Sequence, residues 1–500
     1  LAILAIILLT AALWFYYWIT KNFMYWEKQG VPFIKPEFPF GNISDMVMMR
    51  KTAGEVYRNI YRQFSGLPAG GFFKLREPTL LLRDPELINT VMVKEFNKYP
   101  DNDFEISREV DPLLAINPFA AKSPEWKSIR AIQLPSQTLS KVKSMVPELI
   151  NCCNKMIAYI KDNQSKAHEA KTMSACYTGD TVASCAFGLK SNSFSDSEPG
   201  FAAITKGEVF GSNYWDNFSI LCAIAAPAIG KLFKLRVIHK EVEDYFVKVI
   251  NSASDYRIQK NIRKNDFLQQ LIDANEQTKN GEPVYNQIEM AGHCMTFYLD
   301  GYETSSILLG FALYELARHP QIQNEVREEI MALSKDINDF NSDAINSLTK
   351  LDNFISETLR LHPPIQSVSR ICRADTTLTC GGYEYKIKKG MGIVIPIYAL
   401  HTDPEHFPDP EVFNPDRFSK QNQTSIKKFT YLPFGEGPRM CVGIRFALTQ
   451  IKLALISILL KFRVNLNENC KGPLKLDPKS TYLHTADGGL WLRYEDWNDL

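Results

Sequence analysis

Cysteine and net charge are both scarce in this sequence, and each scarcity excludes a class of protein. Ten cysteines among 500 residues are too few for a scaffold held together by disulfides. The 57 lysines and arginines nearly balance the 56 aspartates and glutamates, so no general field attracts nucleic acid. Hydrophobic residues make up 45% of the chain, which excludes a disordered protein. The 30 Phe, 21 Tyr and 7 Trp suit a large core or a roomy apolar pocket.

Charged residues are also absent from residues 1–20, and this absence predicts a membrane anchor. A helix of that length spans ~30 Å, the thickness of the bilayer's hydrocarbon core. The aromatic run 14–18 stands where an interfacial belt belongs. A cleaved signal peptide is the alternative, but its apolar region is usually ~7–15 residues long and ends in small residues. Lys21, Lys28 and Lys35 follow the anchor, so the positive-inside rule predicts that the rest of the chain is cytosolic.

Proline and glycine recur through residues 21–44, which predicts a stiff, extended hinge. No second linker, internal repeat or low-complexity run interrupts residues 45–500. We therefore expect a single large domain behind the anchor and hinge.

The large domain is expected to be mainly helical, with strand near its two ends. Strand-like runs lie within Phe72–Arg83, and Asp375–Lys388 has the pattern of a hairpin around two glycines. Asn217–Gly230 is uncharged but too short to span a membrane, so we expect a buried or interfacial segment. Met290–Leu316 carries two acidic residues at its centre, which predicts a helix in the core of the domain and not in lipid.

The sharpest local signal is a lone cysteine, Cys441, in a glycine-punctuated loop before the predicted helix Ile444–Leu460. Backbone N–H groups and the helix terminus are expected to lower the pKa of this thiol. Zinc requires a second Cys or His nearby, and none is present. A dinucleotide loop fails because position 440 is Met where Gly is needed. A cysteine nucleophile with a distant histidine partner stays open.

A further interpretation uses every residue of this loop, because a thiolate can be the axial ligand of haem iron. Phe434 is then expected to pack near the thiolate of Cys441 and exclude water. Gly437 permits the turn, Arg439 pairs with a haem propionate, and Gly443 lets the helix approach the macrocycle.

With this loop in place, the chain resembles the cytochrome P450 family over essentially its whole length, and most closely its insect microsomal members. The resemblance implies a mainly α fold with small β-sheets, in which one haem domain (45–500) follows the transmembrane helix (1–20) and the hinge (21–44). It implies haem b with Cys441 as the axial ligand. It also implies an enzyme of the endoplasmic reticulum membrane, with its catalytic domain on the cytosolic side.

The function implied is a monooxygenase that inserts one oxygen atom from O₂ into hydrophobic substrates, either xenobiotics or endogenous lipids. Its electrons are expected from NADPH through NADPH–cytochrome P450 reductase, since 500 residues leave no room for a flavin domain. The expected partners are therefore that reductase, the bilayer and a hydrophobic small molecule, and no nucleic acid. Two alternatives stay open: a haem-thiolate isomerase or dehydratase, and a non-catalytic binder of apolar ligands.

The resemblance also assigns a structural ion-pair network upstream of the cysteine. Glu357 and Arg360 stand three residues apart, so both lie on one helix face, and Arg417 is the expected third member. Other Glu-x-x-Arg pairs occur in the chain, and the context before two prolines selects this one.

Three residues at the centre of the long helix are the expected catalytic groups. A threonine in a helix can return its hydroxyl to the carbonyl four residues back, which for Thr304 is that of Asp300. By resemblance Thr304 steadies oxygen and Glu303 relays protons. Asp300 departs from the family, which commonly has Ala or Gly there, and is expected either to relay protons or to restrict apolar substrates.

Haem propionates need cationic or indole donors, and the resemblance assigns four: Trp126, Arg130, Arg370 and Arg439. An arginine that the family often carries before Trp126 is missing around residues 101–103, where Arg108 is a candidate replacement.

Five side chains are expected by resemblance to line the substrate pocket, although each also suits a plain core: Phe104, Phe119, Phe297, Ile365 and Leu483. The segment Phe210–Phe233 is expected to form another wall and to dip into the bilayer surface.

Overall fold

The structure, a computed structural model, describes residues 1–195, 214–277, 283–470 and 472–499. It is 56% helical, so the predicted mainly α class with small sheets is confirmed. The helices, in chain order, are α1 (Ala2–Thr20), α2 (Ser44–Val47), α3 (Ala53–Gln63), α4 (Pro85–Asn89), α5 (Pro112–Ala115), α6 (Glu125–Gln133), α7 (Leu139–Asp162), α8 (Ala170–Phe187), α9 (Tyr214–Ala225), α10 (Pro227–Leu232), α11 (Lys240–Lys260), α12 (Phe267–Glu276), α13 (Gln287–Arg318), α14 (Pro320–Leu333), α15 (Ser342–Ser347), α16 (Thr349–Leu361), α17 (Ile397–His401) and α18 (Ile444–Lys461).

The strands form three small sheets, and they include the predicted hairpin within Asp375–Lys388 and strands at the predicted runs within Phe72–Arg83. The strands are β1 (Ala69–Lys74), β2 (Glu77–Leu82), β3 (His168–Glu169), β4 (Val368–Ile371), β5 (Thr376–Cys380), β6 (Tyr383–Ile387), β7 (Gly392–Ile395), β8 (Phe462–Leu466) and β9 (Trp491–Asp496). Their orders are β1-β2-β7-β4, β3-β9-β8 and β5-β6. Strands β2 and β7 pair in parallel, with Thr79 opposite Gly392. Gly381 and Gly382 both have positive φ, as the two-residue turn between β5 and β6 requires.

Helix α13 is the long core helix that the sequence predicts, and it crosses α8 at close range. Its N-terminus carries a capping box, in which Asn286 and Glu289 satisfy each other's backbone N–H groups. A Cβ at Gly301 would lie 2.9 Å from Val182, and one at Gly310 would lie 3.2 Å from the Lys171 backbone. The two glycines therefore permit the close approach of α13 and α8.

The predicted hinge contributes to the core of the domain. Trp26 is fully buried, and Val31 and Ile43 belong to the apolar cluster around the four-stranded sheet. The Trp26 indole donates to the Phe72 carbonyl at 3.2 Å, and a Cβ at Gly71 would lie 2.5 Å from its ring. The part of the predicted hinge that lies before this core is the short stretch up to Trp26, in which the Tyr25 hydroxyl donates to the Lys386 carbonyl at 2.8 Å.

Helix α1 packs little against the rest of the chain. Ile19 is its buried residue, and the Arg76 guanidinium lies 4.1 Å from the centre of the Trp18 ring. Among the described residues, α1 is the one helix long and apolar enough to cross a membrane. This finding is consistent with the predicted anchor.

Two truncations separate the anchor from the folded domain. A chain starting at Lys21 should keep the full-length thermal midpoint within about 2 °C in the same detergent, because α1 buries little surface. A chain starting at Val31 should lose roughly 3–5 kcal/mol, since it also removes the buried Trp26. Thermal unfolding followed by circular dichroism measures both, and equal midpoints would contradict the assignment of Trp26 to the core.

Candidate active site

The loop before α18 is a tight turn that positions Cys441. Gly435 and Gly437 have φ of 69° and 72°, and residues 437–439 form a turn of 3₁₀ helix. A side chain at Gly437 would collide with the Met92 carbonyl oxygen, so the loop rests against residues 90–94. The Cys441 N–H donates to the Phe434 carbonyl at 3.0 Å and closes the turn.

The thiol of Cys441 faces an internal space. Protein surrounds this residue, yet its side chain keeps accessible surface. Burial raises the pKa of the Cys441 thiol, and Asp300 adds to the rise, whereas the Gly443 N–H and Arg130 oppose it. The sequence-based expectation of a lowered pKa is therefore wrong for the polypeptide alone, because desolvation exceeds the effect of the helix end. Coordination of a metal cation deprotonates such a thiol outright.

One face of α13 borders the same space. Between Met290 and Ala317 this helix is buried except at Phe297, the adjacent pair Asp300 and Gly301, and Thr304, which recur every three to four residues. Such spacing places them in one stripe along the helix. The influence of Asp300 on the Cys441 pKa places this acid near the thiol. We call these four residues the α13 stripe.

The three expected catalytic residues lie on two faces of α13, with Asp300 and Thr304 on the stripe and Glu303 on the face toward α8. The Thr304 hydroxyl donates to the Asp300 carbonyl at 2.9 Å, which is the hydrogen bond that the sequence predicts. Glu303 instead points toward α8, where its carboxylate lies 2.7 Å from Lys171 Nζ. The Asp300 carboxylate accepts a hydrogen bond from Asn117 Nδ2 at 2.9 Å, and burial raises the pKa of Asp300 to about 6.

Three of the four expected propionate donors lie together, because Arg439 and Arg130 both approach the ring of Trp126. The guanidinium of Arg439 lies 4.4 Å from the ring centre, and that of Arg130 lies 5.9 Å away. Arg439 also donates to the Pro118 and Ala121 carbonyls at 2.8 and 3.0 Å, so it clamps the loop before α6. Arg130 carries no hydrogen bond to any residue in the described ranges and keeps its donors free.

Arg370 is the fourth expected donor, and it is only partly satisfied. Its Nη1 donates to Asn102 and to the Ser369 carbonyl, but its buried Nε has no partner among the described residues. Burial and the nearby Arg439 lower the pKa of Arg370 to about 10. Arg439 already pairs with Asp101 at 3.2 Å, so the donors that stay available are the Nε of Arg370 and the guanidinium of Arg130. These donors fit a propionate-bearing group.

The region around residues 101–103, where the family's arginine is missing, is contacted by a lysine that the sequence did not mark. Arg108 pairs with Glu125 at the surface and does not join the cluster. The ammonium of Lys122 donates instead to the Asn102 and Phe104 carbonyls, the latter at 2.9 Å. No sequence pattern marked Lys122, because its partners are two backbone carbonyls about 20 residues away.

The predicted ion-pair network is present, with Glu357 and Arg360 fully buried and Arg417 partly buried. Arg360 makes two hydrogen bonds of 2.8 Å to the Glu357 carboxylate, and Arg417 Nε lies 3.4 Å from the same carboxylate. Arg360 also donates to the His401 carbonyl at 2.9 Å, and the His401 ring accepts from the Leu432 N–H at 2.8 Å. Burial lowers the pKa of His401 to about 3, so its ring stays a neutral acceptor. The network thus reaches the chain two residues before Phe434.

The five expected pocket residues are partly accessible. Phe104 and Phe119 contact each other with ring centres 5.8 Å apart. Phe297 stacks on Phe267 at 4.7 Å, and Ile365 pairs with Leu483 in an antiparallel bridge. Of the wall expected at Phe210–Phe233, residues 210–213 lie outside the described ranges. The rest forms α9 and α10, whose Trp215, Leu232 and Phe233 are exposed.

These features together identify the class of haem-thiolate proteins. The domain is mainly helical, its core helix carries a threonine beside an internal cysteine, and nearby arginines keep free hydrogen-bond donors. The cytochrome P450 family model matches residues 36–490, and this chain belongs to the cytochrome P450 family. It is 32% identical to cytochrome P450 9e2 of Blattella germanica, over 95% of each chain. It is also 32% identical to cytochrome P450 6j1 of the same insect, over 99% of this chain and 97% of that protein. Probable cytochrome P450 6a20 of Drosophila melanogaster is 30% identical, over 98% of each.

Membership of the family fixes the general chemistry. Cytochromes P450 are haem monooxygenases, so this protein is an oxidoreductase of that class. The family implies haem with a cysteine thiolate ligand. The residues around Cys441 and Trp126 fit that group, because the arginine cluster leaves donors for its propionates.

The Arg360 network provides a stability test. Arg360→Ala leaves the Glu357 carboxylate buried with its best partner removed, so we expect a loss of roughly 3–5 kcal/mol. The matched control is Lys350→Ala, whose ion pair with Glu325 is exposed and should contribute at most about 0.5 kcal/mol. Urea denaturation measures both variants, and similar midpoints for the two would contradict a structural role for the network.

Proposed function

We propose that this protein is a membrane-bound haem-thiolate monooxygenase of hydrophobic compounds. It inserts one oxygen atom from O₂ into the substrate, with electrons from NADPH delivered by NADPH–cytochrome P450 reductase. The observation that carries the proposal is that Cys441 and the α13 stripe border one internal space. This arrangement brings a metal ligand and polar groups for proton handling to the same site.

Cys441 would ligate the haem iron in this proposal, and the haem would supply the activation of O₂ when bound there. Trp126, Arg130 and Arg370 would hold its propionates, and Arg439 fixes the loop before α6. Phe434 closes the cysteine turn, because its carbonyl accepts from the Cys441 N–H and so fixes the thiol just before α18.

Proton handling falls to the residues at the centre of α13. Thr304 holds a hydroxyl proton at Oγ1 on the accessible stripe. Asp300 can accept or release a proton near neutral pH, because burial raises its pKa to about 6. Glu303 is buried but bonded to Lys171, whose side chain is 34% exposed, so this pair links the helix interior with solvent.

The anchor and the aromatic walls support a lipid-soluble substrate and a location on the endoplasmic reticulum membrane. Helix α1 is apolar throughout, and the lysines that follow it favour a cytosolic catalytic domain. The exposed aromatic residues of α9 and α10 suit contact with the bilayer surface.

The ligand assignment is tested by the spectrum of the reduced, CO-bound protein. The parent should give the band typical of thiolate ligation, and Cys441→Ala should abolish it. Cys380→Ala is the matched control, because Cys380 is half-buried in the β5–β6 hairpin and should leave the band unchanged. A thiolate band that survives in Cys441→Ala would assign the ligand to another cysteine.

Thr304 is tested by the coupling of NADPH use to product. Thr304→Ala should lower the yield of product per NADPH several-fold and raise hydrogen peroxide, because the hydroxyl at the stripe is lost. Thr304→Ser keeps a hydroxyl and should retain most of the coupling. Equal coupling in the Ala variant and the parent would remove Thr304 from proton handling.

A further inference from the structure

Asp300 differs from most enclosed acids of this chain in having no cationic partner. Within the described residues, no lysine, arginine or histidine lies within ion-pair distance of its carboxylate. Asp180 shares this feature, but its carboxylate oxygens accept from the Ser193 N–H and hydroxyl. Four enclosed acids illustrate the usual arrangement, with N–O distances of 2.6–2.8 Å to their cations: Lys74–Asp103, Arg257–Asp266, Lys171–Glu303 and Arg360–Glu357.

The Asp300 carboxylate has one fixed neutral donor and an accessible side. Asn117 Nδ2 donates to Oδ1 at 2.9 Å, and Asn117 is itself held because its Oδ1 accepts from the Phe119 N–H at 2.7 Å. This amide orients the carboxylate without neutralising it. The second oxygen, Oδ2, accepts no hydrogen bond from the described residues. The side chain of Asp300 is exposed within the α13 stripe, so that oxygen is reachable from the internal space.

Apolar residues lie near the Asp300 carboxylate, both on the preceding turn of α13 and in the loop that carries Asn117. Phe297 lies one turn before Asp300 in the stripe, and Phe119 follows Asn117 and is 40% exposed. A carboxylate enclosed by apolar groups is poorly solvated, and a cation beside it recovers part of the lost solvation. Aromatic ring faces attract the same kind of cation.

We infer that Asp300 and Asn117 form a subsite for the cationic end of an amphiphilic substrate, an ammonium group attached to an apolar body. The remainder of such a ligand lies against the aromatic residues of the pocket. The inference rests on the proposed function for the identity of the internal space as a substrate site. It makes Asp300 a specificity-determining residue that favours basic over neutral compounds.

A pair of ligands that differ only in charge tests the subsite. The probes are 4-phenylbutyltrimethylammonium and its neutral isostere, in which a tert-butyl group replaces trimethylammonium. The quaternary nitrogen has no lone pair, so it cannot bind iron and confuse the comparison. Calorimetric titration of the haem-loaded protein measures the two dissociation constants at pH 8, where Asp300 is ionised because its pKa is about 6.

The parent should bind the ammonium probe at least about tenfold more tightly than the isostere, since a close charge pair of reduced solvation favours the cation. Asp300→Asn should abolish this preference and keep the affinity for the isostere within about twofold. Asp300→Glu retains the charge and should retain a preference. Glu109→Gln removes one exposed charge from the loop before α5 and should leave the preference unchanged.

The same preference in the parent and in Asp300→Asn would overturn the inference, as would no preference in the parent, which needs no variant to fold. Lost coupling in Asp300→Asn with an unchanged preference would reduce Asp300 to a proton relay and also overturn it. The proposed function fails separately, through absence of the CO band or of reductase-dependent product, and neither observation alters the two dissociation constants.

Discussion

The buried Glu357–Arg360 pair is the interaction on which the cysteine loop depends. Two charges without exposed surface are costly, and the structure offsets this cost by using every side of the arginine. Besides Glu357, the guanidinium donates to the carbonyls of His401 and Pro410, which lie 41 and 50 residues further along the chain. A single charged group therefore fixes several otherwise irregular turns between α17 and the cysteine. Apolar packing alone would leave those carbonyls without donors.

The arrangement of side chains on α13 follows from a similar constraint, because one side of the helix packs against α8 and the other borders the internal space. Toward α8, Gly310 and Gly301, which lies at the edge of the stripe, allow a close approach that buries Glu303 and makes the Lys171 ammonium its necessary partner. On the other side the stripe stays accessible and carries the Asp300 carboxylate. Two acids three residues apart therefore differ in their partners. A fixed cation neutralises Glu303, whereas an amide orients Asp300 without neutralising it. Three residues of helical rotation are enough to produce this difference.

Local patterns in the sequence predicted those features that depend on local geometry. The Thr304 hydrogen bond, the two-glycine hairpin and the pairing of Glu357 with Arg360 all follow from spacings of one to four residues, although family resemblance was needed to select that pair. The contact of Asn117 with Asp300 spans 183 residues and leaves no periodic trace. The direction of the Cys441 pKa shift was wrong because the loop motif reports nearby N–H groups but not the extent of burial.

The hinge illustrates the same limit and has a consequence for the whole molecule. Its prolines predict an extended backbone, but they do not predict that Trp26 packs against Gly71 and donates a hydrogen bond to the Phe72 carbonyl. With Trp26 in the core, only residues 21–25 can act as a tether between α1 and the domain. Five residues span at most about 18 Å when fully extended, which is less than the thickness of a bilayer. In the proposed membrane-bound form, a domain held so closely to α1 keeps one restricted face toward the bilayer, and apolar compounds dissolved there need to cross little water to reach it.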